Sequence, residues 1–463
     1  MAADLHERLS DLASITPLAS PPADLWSRGV RRRRVAAVAR TSVAVVLVLL
    51  VGLGGWVWHS SRPVEPADTH GAPHLPDRFY EPSPWLPSFD GPPGQLVAVG
   101  TAPRKTVLHT HDEAFGVTAS SGQYGFLDLP RYAVTQQLGE SDAPVLSPDG
   151  TRVAFWTTGV PSGAANTHLV GVTVTGVGVY DTTTGRAWRT PVPTKHGLRP
   201  STLKWLDNDE LVLAIDQASF GDSNENSCCA GHWQGLATWR VGDLTGITTL
   251  PTSLPLFMDE RETSARAGRV LFVDEHRLHL IDPRQPATDR VLTTPQSTSY
   301  AVLSPDRRRV AYLTGDDSTP PDERRIQIAQ VPRGTSTKAE PVHVIRTLPP
   351  RRSFDTLVTW VDDGRVAAFS RFRLAHQVND RLGLVDVRSG AVRTLVSPSS
   401  GTGGRSPMGL SLAGNLLSSP LVHADPPPRP WDRRDIAIWL TVAAGLAMLV
   451  LIGKAWESRG RRA

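Results

Sequence analysis

The strongest constraint on this chain is a hairpin that recurs along it. Leu146–Trp156 reads LSPDGTRVAFW and Leu303–Leu313 reads LSPDRRRVAYL. Two looser copies follow the same plan, Leu203–Ala214 (LKWLDNDELVLA) and Val358–Phe369 (VTWVDDGRVAAF). Each has an apolar entry, a tight turn rich in Pro, Asp, Asn or Gly, and then an alternating strand. Pro presets the backbone angle of such a turn, and Asp or Asn hydrogen-bonds the local backbone. A second element lies downstream of most copies: Val177–Trp188 (VGVYDTTTGRAW), Leu278–Asp289 (LHLIDPRQPATD) and Leu382–Val392 (LGLVDVRSGAV). Gly242–Thr248 (GDLTGIT) and Phe126–Tyr132 (FLDLPRY) are weaker echoes. Each is a strand ending on an acidic residue, then a turn and a new strand.

The turn aspartates Asp149, Asp209, Asp306 and Asp363 are separated by 60, 97 and 57 residues. The long gap holds two units, with RVLFVDEHRLHLID (Arg269–Asp282) supplying the unmarked one. A unit of roughly 50–60 residues suits a four-stranded propeller blade with generous loops. The expected fold is an all-β propeller of six to seven blades. Six are counted, and Gln95–Gly100 with Met408–Val422 form a closing pair that would make a seventh. The 39 Gly and 39 Pro supply the turns such a fold needs. The SPDG and SPDR turns followed by VAFW and VAYL resemble the WD40-like propeller repeat of the TolB type, over roughly residues 95–420. That resemblance implies a propeller that binds proteins or ligands on its faces. It implies no reaction, because such propellers serve many functions.

Thr41–Trp58 (TSVAVVLVLLVGLGGWVW) carries no charge and is long enough for a transmembrane helix. Val35–Ala39 extends it, with Arg40 snorkelling toward the headgroups. Arg28 and Arg31–Arg34 precede it and Trp56 and Trp58 close it, which puts the Arg cluster in the cytoplasm. A cleaved signal peptide is the competing reading. The forty-residue leader and the bulky Trp where small residues belong argue against it. Ile436–Gly453 (IAIWLTVAAGLAMLVLIG) is equally uncharged. It reads as a second span rather than a buried core helix, being apolar on every face.

The resulting plan is a cytoplasmic tail (1–34), a span (35–58), a Pro-rich linker (59–94), the propeller (95–422), a second Pro-rich linker (423–435), a span (436–453) and a cytoplasmic end (454–463). The expected location is the plasma membrane, with two passes, both termini inside and the propeller outside. The net charge of +4 does not indicate a nucleic-acid partner. Of the 49 Lys and Arg, eleven lie outside residues 41–453, as do five of the 45 acids, leaving 38 bases against 40 acids between. The basicity belongs to the ends.

No residue earns a catalytic, cofactor or metal role. There is no G-x-S-x-G elbow, and Gly404–Gly409 (GRSPMG) has the wrong spacing. Asp149 and Gly150 are adjacent, whereas a sialidase-type Asp box needs a residue between them. His109, His111, Asp112 and Glu113 (HTHDE) are the densest set of metal-ligand types, and residues i and i+2 of a strand share a face. The plainer reading is a polar strand running into a turn. Asp207, Asp209 and Glu210 likewise read as turn residues before a calcium cage. A propeller-face enzyme acting on glycans or peptides is the alternative class, and inward-facing carboxylates or His at one channel mouth would favour it. A structural envelope protein is the third.

Cys228 and Cys229, the only cysteines, sit in a loop-like stretch, Gly221–Gly231. A vicinal disulfide there would fix a turn outside the membrane; free thiols or intermolecular bridging are the other outcomes. In the tail, Leu5, Leu9 and Leu12 fall on one face of a short helix, and Leu25 and Trp26 form a second apolar side before Arg31, Arg32, Arg33 and Arg34. One account lays this stretch on anionic lipid. The other has it bind a partner. The pattern ERLSDLA…PPADLWSRGVRRRR is similar to the cytoplasmic starts of membrane proteins that accompany extracytoplasmic-function sigma factors in high-GC bacteria. It lacks the His-x-x-x-Cys-x-x-Cys zinc motif of the best-known anti-sigma domains. The implied partners are the bilayer, an outer protein or envelope ligand, and a cytoplasmic sigma factor or regulator.

Overall fold

A computed structural model describes residues 71–427, apart from 107–108, 135–142, 166–171, 219–230, 251–262, 286–288, 316–318, 321, 333–337, 349–353, 375–376, 398–404 and 406–408. Outside that range only Ser10, Asp11, Gly29, Val30 and Gly445 are described, each helical. Contacts divide the chain into Met1–Ser61 with Trp431–Ala463, and Arg62–Pro430. No described helix is long and apolar enough to cross a membrane. The expected spans, 35–58 and 436–453, lie outside the described residues except for Gly445.

Arg62–Pro430 is a six-bladed β-propeller. Its first strand, β1 (Leu75–Pro76), stands apart from the blades. Blade one contains β2 (Leu96–Lys105), β3 (Thr110–Thr118) and β4 (Tyr124–Phe126). Blade two runs β5 (Val145–Leu146), β6 (Arg152–Thr158), β7 (Val174–Asp181) and β8 (Ala187–Pro191). Blade three is β9 (Leu203–Trp205), β10 (Glu210–Ala218), β11 (Gly231–Arg240) and β12 (Thr248–Thr249). Blade four is β13 (Thr263–Arg266), β14 (Arg269–Asp274), β15 (Arg277–Ile281) and β16 (Arg290–Thr293). Blade five has β17 (Thr298–Leu303), β18 (Arg309–Thr314), β19 (Ile326–Gln330) and β21 (His343–Thr347), while β20 (Glu340–Pro341) adds a parallel fifth strand to blade four. Blade six is β22 (Phe354–Asp362), β23 (Arg365–Leu374), β24 (Gln377–Asp386) and β25 (Val392–Val396). Then come β26 (Ser411–Leu412) and β27 (Leu421–Val422).

The expected closing pair exists, but it makes no seventh blade. Strand β26 joins β2 antiparallel (Ala98↔Leu412, Val99↔Ser411) and becomes the innermost strand of blade one. The ring therefore closes by borrowing a strand from the far end of the chain. Part of the stretch read as spacer is also packed. Leu75, Phe79, Leu86 and Phe89 are buried in the blade-one core, because apolar anchors alternate with the prolines there. Strands β1 and β27 pair in parallel, Leu75 with Leu421 and Pro76 with Val422. Asp77 accepts from Ala424 N–H at 3.1 Å, and Tyr80 Oη donates to Ala424 O at 3.1 Å. The two ends of the propeller thus leave it side by side.

The second strand of each repeated hairpin is apolar on both faces because it packs between two blades. Along β6, Val153 and Phe155 enter the core shared with blade one, while Ala154 and Trp156 enter the core shared with blade three. Along β18, Val310 and Tyr312 face blade four, and Ala311 and Leu313 face blade six. The loosely matched copies carry the latches between blades. Trp205 Nε1 donates to Val145 O at 3.0 Å, tying blade three to blade two. Trp360 Nε1 donates to Val302 O at 2.9 Å, tying blade six to blade five. Arg152 with Asp209, and Arg309 with Asp363 at 3.7 Å, bridge the same two pairs of blades. The contacts between blades two and three therefore recur between blades five and six.

Candidate functional site

The six innermost strands (β26, β5, β9, β13, β17 and β22) enclose a central channel of about 1130 Å³. Strands β5, β9, β17 and β22 each end in the repeated tight turn and β13 ends in the turn Ala267–Gly268, so the turn residues rim one mouth and the strand starts rim the other. The turn mouth is built by carboxylates acting on the backbone. Asp149 Oδ1 accepts from Ser147 Oγ at 2.6 Å, Thr151 Oγ1 at 2.9 Å and Thr151 N at 3.1 Å. Asp306 Oδ1 accepts from Ser304 Oγ at 2.5 Å and Arg308 N at 3.0 Å. The same position of the turn is left-handed in both copies, Gly150 at φ 76° and Arg307 at φ 60°.

Two of the four expected turn aspartates are displaced. In blade three the capping carboxyl is Asp207, which accepts from Asp209 N at 2.8 Å and Glu210 N at 2.9 Å. In blade six it is Asp362, accepting from Gly364 N at 2.9 Å. These turns are one residue shorter than those of blades two and five: Trp205 pairs with Leu211 and Trp360 with Val366, against Leu146 with Val153 and Leu303 with Val310. Asp209 and Asp363 are left to bridge blades.

The downstream acidic residues cap the outer hairpins. Asp181 Oδ1 receives Thr183 N and Thr184 N, and Asp386 Oδ1 receives Arg388 N and Ser389 N. Asp282 and Asp243 receive Arg284 N and Thr245 N. Phe126–Tyr132 forms no such hairpin, since β4 is the outermost strand of blade one.

Four of the five carboxylates weighed as metal ligands, Glu113, Asp207, Asp209 and Glu210, are engaged by protein side chains. Arg104 bonds Glu113 at 2.7 Å, and His111 Nε2 lies 3.3 Å from the same carboxylate. Arg284 Nη2 holds Asp207 at 2.8 Å and Glu210 at 2.5 Å, and Asp209 pairs with Arg152. Among the described residues, no three His, Cys, Asp or Glu side chains are grouped to hold a metal ion. Cys228 and Cys229 lie outside the described residues. So do the tail residues Leu5, Leu9, Leu12, Leu25, Trp26 and Arg31–Arg34.

The channel wall itself was not legible as a site. Its described lining contains Lys204, Arg266, Tyr300, Arg324, Thr359 and Asn415, and it contains no His, Cys or Glu. Of its two carboxyls, Asp355 stands near the start of β22 and Asp207 just past the end of β9, toward opposite mouths. Arg324 is buried and donates Nε to Thr319 O at 3.1 Å and Nη1 to Asp355 O at 3.5 Å. Arg266, the last residue of β13, is half-buried and donates Nη1 to Thr359 Oγ1 across the channel. Burial works against its charge and draws its pKa down. The available signal was positional: Lys204 and Thr359 each precede a latch tryptophan, and the alternation of a strand then turns them into the channel.

The geometry defines a six-bladed propeller with an open, polar-walled channel. No protein-family model matches the chain, and no curated protein matches it. Solved structures similar to it include an acylaminoacyl peptidase of Pyrococcus horikoshii (13% identity, 65% of this chain and 44% of that one, TM-score 0.36). A protein described as TolB, from Agrobacterium tumefaciens, matches at 14% identity over 57% of this chain and 83% of that one, TM-score 0.33. The tricorn protease matches at 13% identity over 70% of this chain and 31% of that one, TM-score 0.38. The chain thus spans less than half the length of either of the two peptidases.

Proposed function

We propose that this chain is a membrane-anchored, non-enzymatic propeller that binds a protein or envelope ligand on the outer side of the plasma membrane. The carrying observation is the channel. Six blades bring amide, hydroxyl and cationic side chains to one cavity, while the carboxyls lie toward opposite mouths and Asp207 is held by Arg284. That wall suits recognition better than acid–base chemistry, which needs titratable groups brought together. Two apolar runs, each long enough to cross a bilayer, support the anchoring. The pairing of β1 with β27 agrees with it, since both ends of the propeller leave from neighbouring points.

The N-terminal tail then faces the cytoplasm, where its leucines, Trp26 and Arg run contact lipid or a regulator such as a sigma factor. A pull-down with residues 1–40 as bait against cytoplasmic extract tests the signalling arm. Recovery of a sigma factor or other regulator makes the propeller the input of a sensor. Recovery of lipid alone makes the tail an anchor and removes the signalling role.

A further inference from the structure

We propose that the turn-side half of the channel is an oxyanion site, in which Arg266 receives a carboxylate or phosphate group of the ligand. Several arginines around this mouth are held by carboxylates. Arg152 pairs with Asp209, Arg284 with Asp207 and Glu210, and Arg309 with Asp306 and Asp363. Arg266 has no carboxylate within ion-pair reach among the described residues. Its one hydrogen bond there is to the Thr359 hydroxyl. A guanidinium has five N–H donors in a fixed plane, so the remaining edge can grip a carboxylate or phosphate through two parallel bonds.

Space for such a group exists beside it. The side chain crosses from blade four to blade six and lines the channel of about 1130 Å³. Lys204 on the neighbouring innermost strand adds a second positive charge to the wall. A partly desolvated cation with no counter-ion is costly, and an arriving anion offsets that cost. Burial acts in the same direction on Arg266, pulling its pKa down.

This inference rests on the channel being a binding cavity, and the two can fail separately. The test uses the full chain in detergent micelles, titrated with inorganic phosphate and with acetate at fixed ionic strength against chloride, read by thermal unfolding and calorimetry. The wild type should show saturable binding of one of these anions above the chloride baseline. Phosphate binding with acetate silent assigns a phosphate-bearing ligand, and the reverse assigns a carboxylate. Arg266→Gln should weaken binding at least about tenfold, as loss of a charge-assisted bond does. Arg266→Lys, which keeps a point charge without the planar fork, should bind more weakly than wild type and serves where the Gln variant does not fold. Unchanged affinity in both Arg266 variants, or no anion effect beyond chloride in the wild type, overturns the site. Capture of an outer ligand by a chain that ignores both anions would sink the oxyanion site while keeping the binding cavity.

Discussion

Replacing Trp360 with Phe isolates the latch between blades five and six. The indole is fully buried, donates Nε1 to Val302 O at 2.9 Å, and lies under Arg309, whose Cζ is 5.1 Å from the ring centroid. Phe keeps an aromatic ring against the same neighbours but removes the donor. The Val302 carbonyl keeps its ladder partner Ala311 but loses its second donor, which costs about 0.5–1.5 kcal/mol. The smaller ring forfeits about 1 kcal/mol of burial, and the weaker cation–π contact a few tenths more. The expected loss is about 2–3 kcal/mol. Trp156 provides the internal control, since it is equally buried but its Nε1 has no acceptor among the described residues. Trp156→Phe removes an unsatisfied donor, which offsets most of its lost burial and leaves the change within about 1 kcal/mol of zero. Urea unfolding followed by near-ultraviolet circular dichroism compares the two. Equal losses would refute the latch, because ring size alone would then account for both.

Other expectations follow from the turns. Asp149→Ala and Asp306→Ala should each cost about 1–2 kcal/mol, as lost side-chain caps do, and Asp362→Ala should resemble them. Asp363→Ala should stay within about 0.5 kcal/mol of wild type, since that carboxylate is exposed and makes only a long ion pair. Thermal unfolding of the four variants checks the displaced cap directly. Acid should act on the same groups. Burial opposes ionisation of Asp181, Asp306 and Asp362, but hydrogen bonds from Thr183, Ser304 and Arg365 outweigh it and hold all three below the usual carboxylate value. Their contribution is therefore complete above a pH of about 4 and lost as pH falls through the folded values. Burial also draws His279 down, against the partial support of Asp274, so it is neutral in the fold. Stability should start to decline as pH drops below about 6.5, and His279→Gln should flatten that part of the profile.

Much of the propeller was legible because each repeated hairpin needs a turn carboxylate at one end and a doubly buried strand at the other. The LSPDG and LSPDR copies display both. Blade four was reachable only by spacing, since its tight turn is Ala267–Gly268, both at positive φ and with no Asp to mark it. The closing strand was found but misplaced, because local sequence does not reveal that Ser411–Leu412 supplies the inner edge for Leu96–Lys105. The displacement of the cap from Asp209 to Asp207, and from Asp363 to Asp362, hung on a turn shortened by one residue. With two or three acids in a row, composition does not say which one reaches the backbone. Arg266 escaped notice for a different reason. Its meaning comes from having no carboxylate within ion-pair reach among the described residues, and that is a property of six blades converging, not of the stretch TSARAG.

The central claim is that the propeller stands outside the membrane with both termini inside, and topology mapping tests it most directly. Paired reporters, one active only outside the membrane and one only in the cytoplasm, are fused after residues 34, 427 and 462. The account predicts cytoplasmic activity at 34 and 462 and outer activity at 427. Outer activity at 462 would contradict the second crossing, and cytoplasmic activity at 427 would contradict the outer propeller altogether.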